Sequence, residues 1–357
     1  MKALRHSLYL SLVALAFLSV GHSCSCQEEE IVTISVDFRK TIEVDINHIP
    51  DIQTIVFDQT DVLLSGQGST LFNDEVILLR ERDNLLAFDH HGKFLNVVAE
   101  RGRGPGEYSY ISSLFVDGEQ IFLQNHRFVM QVYTLNGTLI KETVLSKTPQ
   151  GAAPSMIYPA GDGQFVGRAS ADNLDSLGYA IGLLDADCKL VRPIEGRNYL
   201  ADIALGYDQF SPFEDDLLFW DTCCDTIFTI KNKERISPTY VVDFGVNGIP
   251  KDVAKKGAYP VMFFLEENVD KGQYISFLRS IHECQRYLTA FFTLYGGGDY
   301  LLRYDKQMKL AQSYKFVDAN ETIIPFLVVH TKGDKVMFLS SKGEEVTLNI
   351  INPSDLP

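Results

Sequence analysis

Short apolar runs separated by turn residues fill the chain from about residue 31 to the C-terminus. The clearest example lies at residues 100–142, where apolar runs at 111–117, 120–124 and 128–133 are separated by Gly118-Glu119 and Asn125-His126. Asn136-Gly137 follows the third run, and an Asn-Gly pair between apolar runs is a strong signal for a tight hairpin. This pattern predicts a sheet of short antiparallel strands.

The same unit recurs along the chain. Further apolar runs flank turns near residues 92, 137, 188, 232 and 308, and a last pair of runs surrounds Gly343. A sheet module that repeats at intervals of about 45 residues cannot bury its faces alone, so its copies stack around a common axis. We therefore predict an all-β fold, a six-bladed β-propeller of four-stranded antiparallel blades. A strand within residues 37–47 is expected to complete the last blade and close the ring.

One domain is expected, covering residues 31–357, because no low-complexity linker divides the chain. The interval before the fifth turn is longer than the others and predicts an insertion at about residues 249–283. Within it, residues 250–256 and 263–268 are interpreted as short helices or irregular loop. Loops of this length in a compact β fold are often functional.

The N-terminus has the form of an export signal. Lys2 and Arg5 precede an apolar stretch at residues 8–20, which is too short to span a membrane comfortably. Residues 1–25 therefore predict a lipoprotein signal peptide and lipid-attachment region, with Cys24 or Cys26 as the lipidated residue. The acidic run at residues 28–30 resembles the surface-export tag of some Gram-negative lipoproteins. We expect an outer-membrane lipoprotein of the cell envelope, periplasmic or surface-exposed, and ordinary secretion is the alternative.

The composition adds constraints on partners and compartment. The formal net charge is −15, and removal of Lys2 and Arg5 with the leader makes the mature chain more acidic. This charge disfavours nucleic acid and anionic membranes as partners. The spacing of the remaining cysteines matches no zinc site, and they are either all reduced or joined by one disulfide. These cysteines are Cys188, Cys223, Cys224 and Cys284.

Several segments resemble a known family. They are RGRGPGEY at 101–108 with the apolar run after it, LAFDHHGKF at 86–94, DTIFTI at 225–230 and PTYVVDFG at 238–245. Together they resemble the six-bladed β-propeller lipoproteins of Gram-negative anaerobe envelopes, and the blade at 104–133 is similar to NHL-repeat blades. The resemblance covers nearly the whole mature chain. It implies the propeller fold but little chemistry, because propellers serve many functions.

The glycine-rich stretch is the first candidate site. Gly102, Gly104 and Gly106 differ from a dinucleotide-binding loop, because Pro105 interrupts the spacing and strands follow where a helix should. We interpret this stretch as a connection between blades. The candidate ligand-binding residues are Arg101, Arg103, Glu107, His126 and Arg127. The arginines could hold a carboxylate or sulfate, or could pair with neighbouring acids such as Glu100.

The hypothesis from sequence is a lipid-anchored, monomeric module that binds a ligand or another protein. The ligand is a glycan, a peptide or an envelope protein, bound where the loops of the blades converge. We assign no catalytic residue and no metal ligand, and we expect no cofactor. The alternative is a propeller hydrolase or lyase that acts on glycans or peptides at the central funnel, with His126 as a general base.

Overall fold

The computed structural model describes residues 30–65, 69–72, 74–81, 83–125, 129–145, 153–169, 174–195, 210–221, 224–254, 256, 258–318 and 334–357. Val32–Pro357 form one compact unit. Its strands are arranged in six sheets, the blades of a six-bladed β-propeller, which confirms the predicted fold class. Across the described ranges, no helix combines the length and the apolar character needed to cross a bilayer.

The strands follow one another blade by blade. Three N-terminal strands come first, β1 (Val32–Ser35), β2 (Ile42–Asp45) and β3 (Gln53–Val56). Blade 1 contains β4 (Ser69–Phe72), β5 (Ile77–Glu81), β6 (Asn84–Phe88) and β7 (Phe94–Glu100), and blade 2 contains β8 (Ile111–Asp117), β9 (Gln120–Asn125), β10 (Val129–Thr134) and β11 (Leu139–Val144). Blade 3 contains β12 (Met156–Gly161), β13 (Gln164–Arg168), β14 (Ile181–Leu184) and β15 (Leu190–Glu195), with the short helix α1 (Leu174–Leu177) between β13 and β14. Blade 4 contains β16 (Phe210–Phe213), β17 (Asp216–Trp220), β18 (Thr226–Lys231) and β19 (Arg235–Asp243).

An insertion separates blade 4 from blade 5. It contains the helices α2 (Lys251–Ala254) and α3 (Ala258–Glu267), flanked by single 3-10 turns at Gly245–Asn247 and Val269–Lys271. Blade 5 contains β20 (Ile275–Glu283), β21 (Tyr287–Leu294), β22 (Gly298–Asp305) and β23 (Leu310–Val317). The predicted short helices are therefore present, whereas residues 275–283 form a strand of blade 5. In blade 6, β24 (Val336–Lys342) and β25 (Glu345–Ile351) pair with β3.

The N-terminal strands tie the ring together. β3 pairs antiparallel with β25 as the outermost strand of blade 6, so residues near the two ends of the chain share one sheet. The sequence analysis expected a strand within residues 37–47 to close the ring in the last blade. That strand is β2, and it lies parallel to β23 at the outer edge of blade 5, so the prediction of its position was wrong. β1 similarly lies parallel to β19 on blade 4. Both segments have the same alternating character as β3, so pattern alone could not assign each one to its blade edge.

Aspartate side chains build three of the recurring turns. Asp89, Asp185 and Asp305 each accept hydrogen bonds from two backbone N–H groups of the turn between the third and fourth strands of their blades. Such side-chain bonds stabilise a tight turn without help from the rest of the fold. The turn at Gly343 lies between β24 and β25, and the next strand of that sheet, β3, comes from the N-terminus.

The core consists of side chains packed between neighbouring blades. Phe115 and Phe122 of blade 2 stack with ring centroids 5.0 Å apart, and both contact Phe165 of blade 3. Phe210 and Trp220 are buried in the core. The three cysteines that the structure describes in the propeller, Cys188, Cys224 and Cys284, are free thiols.

Candidate functional site

One face of the propeller carries the connections between blades. Neighbouring strands in each four-stranded blade are antiparallel. The end of the fourth strand therefore lies on the same face of the propeller as the turn between the second and third strands. We call this side the connection face. It carries the glycine loop (residues 101–108), which joins β7 to β8, and it carries the insertion between blades 4 and 5.

Glu107 folds back into the glycine loop. Its carboxylate accepts a hydrogen bond of 2.6 Å from the N–H of Gly104, and its backbone N–H donates to Gly104 O. A Cβ on Gly102 would lie 1.9 Å from the Glu107 carboxylate, so only glycine leaves room for this contact. Glu107 therefore fixes the loop. The N–H groups of Gly102 and Gly104 are both occupied within the loop, so these two donors are not available to an incoming anion.

The glycine loop is also attached to blade 2. Asn125 and Gln131 donate side-chain hydrogen bonds to Glu107 O, and the Tyr133 hydroxyl donates to Gly106 O over 3.0 Å. These contacts hold the loop on the ends of β9 and β10. The interpretation of the loop as an inter-blade connection agrees with this geometry, and the loop is a rigid support for the side chains that leave it.

The two arginines of the glycine loop differ in their surroundings. Arg101 lies 3.5 Å from Asp83, and both side chains are more than half exposed. Arg103 is exposed, and within the described part of the chain no acidic side chain pairs with it. Arg103 is therefore a solvated guanidinium on a rigid loop, available to an anion.

Two further side chains lie beside these arginines. The Arg80 guanidinium is 5.6 Å from the ring centroid of Tyr110, and Tyr110 is 47% exposed. Tyr108 is buried beneath the surface of this region, and its hydroxyl has no hydrogen-bond partner in the part of the chain that the structure describes. Burial raises the pKa of Tyr108 to about 12, and Arg80, Asp83 and Arg101 are close enough to influence that pKa. We call Arg80, Arg101, Arg103 and Tyr110 the seam site, because they lie where blades 1 and 2 meet.

The structure places the predicted site residues in three groups. Arg101 and Arg103 lie in the seam site, and Glu107 supports it from within the loop. His126 and Arg127 lie outside the described residues, as do Cys24 and Cys26. Sequence analysis did not single out Arg80, which lies in β5, 21 positions before Arg101. The only available signal was two charged residues, Arg80 and Glu81, at the end of an apolar strand, and that signal does not indicate which loop Arg80 faces.

Another polar cluster connects blades 3 and 4. The Arg168 guanidinium donates to both carboxylate oxygens of Asp221, over 3.2 and 3.1 Å. The exposed fractions of the two side chains are 0% and 1%. Because both groups are excluded from water, this ion pair is a structural link between blades and not a surface for a ligand. Elsewhere in the described ranges, no three His, Cys, Asp or Glu side chains are grouped so that they could hold a metal ion.

Comparisons with known proteins give a family and a fold. A crystal structure of a Bacteroides fragilis protein described as exported matches with a TM-score of 0.69 at 16% identity, and the match covers 90% of this chain and 99% of that one. A member of the DUF4221 family from Bacteroides vulgatus matches with a TM-score of 0.47 at 10% identity, over 84% and 97% of the two chains, and adds nothing to the fold assignment. No curated protein matches the sequence. The model of a family described as a domain of unknown function, DUF4934, matches residues 31–353, and the chain therefore belongs to the DUF4934 family.

Proposed function

We propose that this protein is an exported, lipid-anchored binding module of the cell envelope, and that it holds an anionic group of its ligand at the seam site. The observation that carries the proposal is the exposed Arg103, which pairs with no acidic side chain among the described residues and lies on a loop fixed by Glu107. The export signal and the fold similarity to a protein described as exported support the envelope location.

The chemistry of the seam site favours a ligand with both a charge and a flat face. A planar guanidinium binds carboxylate or sulfate with two parallel hydrogen bonds. Tyr110 offers an exposed ring beside the Arg80 guanidinium, and aromatic rings provide apolar contact area for a sugar. Asp83 and Glu107 already neutralise part of the local positive charge, so the site suits a single acidic group. We therefore propose an acidic glycan as the ligand.

Titration calorimetry of the mature chain tests this function. Oligogalacturonate supplies carboxylates, a heparin-derived oligosaccharide supplies sulfates, and a neutral dextran oligomer is the control. We expect an acidic oligosaccharide to bind and the neutral one not to bind, with an affinity that decreases as salt increases. Binding of dextran with equal affinity, or of neither acid, would contradict the proposal.

Three substitutions sharpen this test. Arg103→Ala should weaken binding by about 10- to 150-fold, since a hydrogen bond to a charged group contributes about 1.5–3 kcal/mol. Asp83→Ala should strengthen binding, because it releases Arg101 from its ion pair. Lys141→Ala is the matched control, because Lys141 is an exposed cation on blade 2 that pairs with Asp187. If Lys141→Ala weakened binding as much as Arg103→Ala, the binding would be nonspecific charge attraction and not recognition at the seam site.

Labelling with a radioactive fatty acid tests the anchor separately. We expect wild type to incorporate the label, and either Cys24→Ala or Cys26→Ala to abolish it. Label that persists in the double variant would remove the lipid anchor from the proposal and would leave the seam site unaffected.

A further inference from the structure

Four buried polar side chains lie at or beside the ends of the second strands of blades 1–4, beneath the connection face. They are Glu81, Gln124, Arg168 and Asp221, and each is at most 5% exposed. Three of them are compensated from a neighbouring blade, because Gln124 donates a hydrogen bond of 2.7 Å to Pro154 O and Arg168 pairs with Asp221. Glu81, at the end of β5, differs from the other three.

Only one oxygen of the Glu81 carboxylate is bonded. Oε1 accepts a hydrogen bond from the Ser65 hydroxyl, whereas Oε2 is buried and has no partner among the residues that the structure describes. Within the same residues, no Lys or Arg side chain pairs with Glu81. Its neighbour Arg80 points the other way, toward Tyr110 of blade 2. A buried carboxylate in this state is costly unless another group neutralises it.

The Thr70 hydroxyl lies on the same face of blade 1 as Glu81. Thr70 is opposite Leu79 in the pairing of β4 with β5, and Glu81 is two residues beyond Leu79, so all three side chains leave one face of the sheet. Leu79 shares a core cluster with Ile55 of β3, and this face therefore meets blade 6. Thr70 is 2% exposed, and across the described ranges its Oγ1 has no hydrogen-bond partner. Diagonal neighbours such as Thr70 and Glu81 are about 7–8 Å apart, within reach of a long side chain.

We propose that Glu81 and Thr70 bind a hard metal cation between blades 1 and 6, a site separate from the seam site and independent of its ligand. The donor set is a carboxylate and a hydroxyl, and hard cations prefer oxygen ligands of this kind. Oε2 of Glu81 and Oγ1 of Thr70 do not bond to each other, so a proton on Oε2 has no acceptor there, whereas an ion between the two oxygens contacts both. One carboxylate balances one positive charge, which favours a monovalent ion such as Na⁺ over Ca²⁺.

The position of this site links the cation to closure of the ring. Ser65, which holds the Glu81 carboxylate, lies in the connection between β3 and β4, and β3 is the N-terminal strand of blade 6. An ion on Glu81 and Thr70 therefore fastens blade 1 where the N-terminal strand joins the ring. Low ligand charge makes the site weak, as in calcium sites with a Kd of about 10⁻⁴–10⁻³ M. Such an ion stabilises the folded protein only at concentrations near or above that range.

Thermal unfolding in defined salts tests the cation site. The mature chain is treated with a chelator, transferred to choline chloride and titrated with NaCl or CaCl₂ at constant ionic strength, and circular dichroism gives the Tm. Glu81→Gln removes the charge and keeps the size of the side chain, and Thr70→Val removes the second oxygen. Glu119→Gln is the matched control, because Glu119 is an exposed carboxylate in the turn between β8 and β9.

We expect each tenfold rise of the bound cation above its Kd to raise the Tm of wild type and of Glu119→Gln by roughly 2 °C, for a unit as long as Val32–Pro357. The Tm of Glu81→Gln should not respond, and Thr70→Val should need a higher concentration for the same rise. The salt that gives the response, NaCl or CaCl₂, identifies the charge of the ion.

Three results would overturn the inference. Equal responses of wild type and Glu81→Gln would show general screening of an acidic chain, and no response of wild type to either salt would leave only water at Glu81. An infrared band of a protonated carboxylic acid, present in wild type with the cation and absent from Glu81→Gln, would show that a proton neutralises Glu81. If Glu81→Gln does not fold, Thr70→Val decides the test, because a cation response equal to that of wild type would exclude Thr70 as a ligand.

Discussion

Removal of Asp221 should destabilise the propeller more than loss of any surface ion pair. Arg168 and Asp221 are almost fully buried. Among the described residues the Nε atom of Arg168 has no hydrogen-bond partner, so Asp221 is the main compensation for the buried guanidinium. Asp221→Ala leaves this positive charge in a dry interior between blades 3 and 4. Breaking a buried pair in this way costs about 3–5 kcal/mol of unfolding free energy.

The expected shift in melting temperature follows from the size of the unit. Unfolding entropy grows by about 2 cal/mol/K for each residue, so in a unit as long as Val32–Pro357 a loss of 3–5 kcal/mol lowers the Tm by roughly 4–7 °C. Lys141 and Asp187 provide the control, because they join blades 2 and 3 over 3.2 Å but are 52% and 56% exposed. Asp187→Ala should cost about 0–1 kcal/mol, because water screens that pair.

Thermal unfolding followed by circular dichroism measures both effects, and urea titration gives the free energies. The double variant Arg168→Met, Asp221→Leu should recover most of the stability, because replacement of a buried pair by apolar side chains is often neutral. Equal losses for Asp221→Ala and Asp187→Ala would show that the Arg168–Asp221 pair is hydrated. A double variant as unstable as Asp221→Ala would show that lost packing, and not the orphaned charge, causes the effect.

Three further predictions concern single sites. Burial acts to raise the pKa of Asp305, but the N–H of Met308 and the Arg286 guanidinium outweigh it and hold that pKa below its usual value. Asp305→Asn should therefore be less stable than wild type at pH 7. Urea titrations should show the difference shrink as the pH falls below about 3.8, and vanish only below the lowered pKa of Asp305 in the folded protein, where wild type is protonated too. Burial, with smaller contributions from Asp185 and Asp187, raises the pKa of the Cys188 thiol to about 12. Iodoacetamide at pH 8 should therefore label Cys188 only after denaturation. Peptide mapping that finds Cys188 labelled in the native protein would contradict this prediction. Gly102→Ala should displace the Glu107 carboxylate and lower the free energy of unfolding by about 1–2 kcal/mol in wild type, but by almost nothing in a Glu107→Ala background. Additive losses of stability in this double-mutant cycle would refute the contact between Gly102 and Glu107.

The propeller could be predicted from sequence because its signals are local. Asp89 and Asp185 bond to backbone within four residues of themselves, so each turn is encoded where it occurs. The interval between these turns then reports the size of the repeating unit. Ring closure carries no such local signal. β3 pairs with residues about 290 positions later in the sequence, and its pattern does not distinguish it from β2.

The seam site was only partly predictable for the same reason. Arg101 and Arg103 stand out beside glycines in the sequence, but the contact of Arg80 with Tyr110 spans 30 positions and depends on the packing of blade 1 against blade 2. Glu107 is among the ligand-binding candidates from sequence, and in the structure its carboxylate accepts a hydrogen bond from the N–H of Gly104 in its own loop. Whether an acidic residue pairs locally or faces a ligand depends on backbone geometry that the order of residues does not reveal.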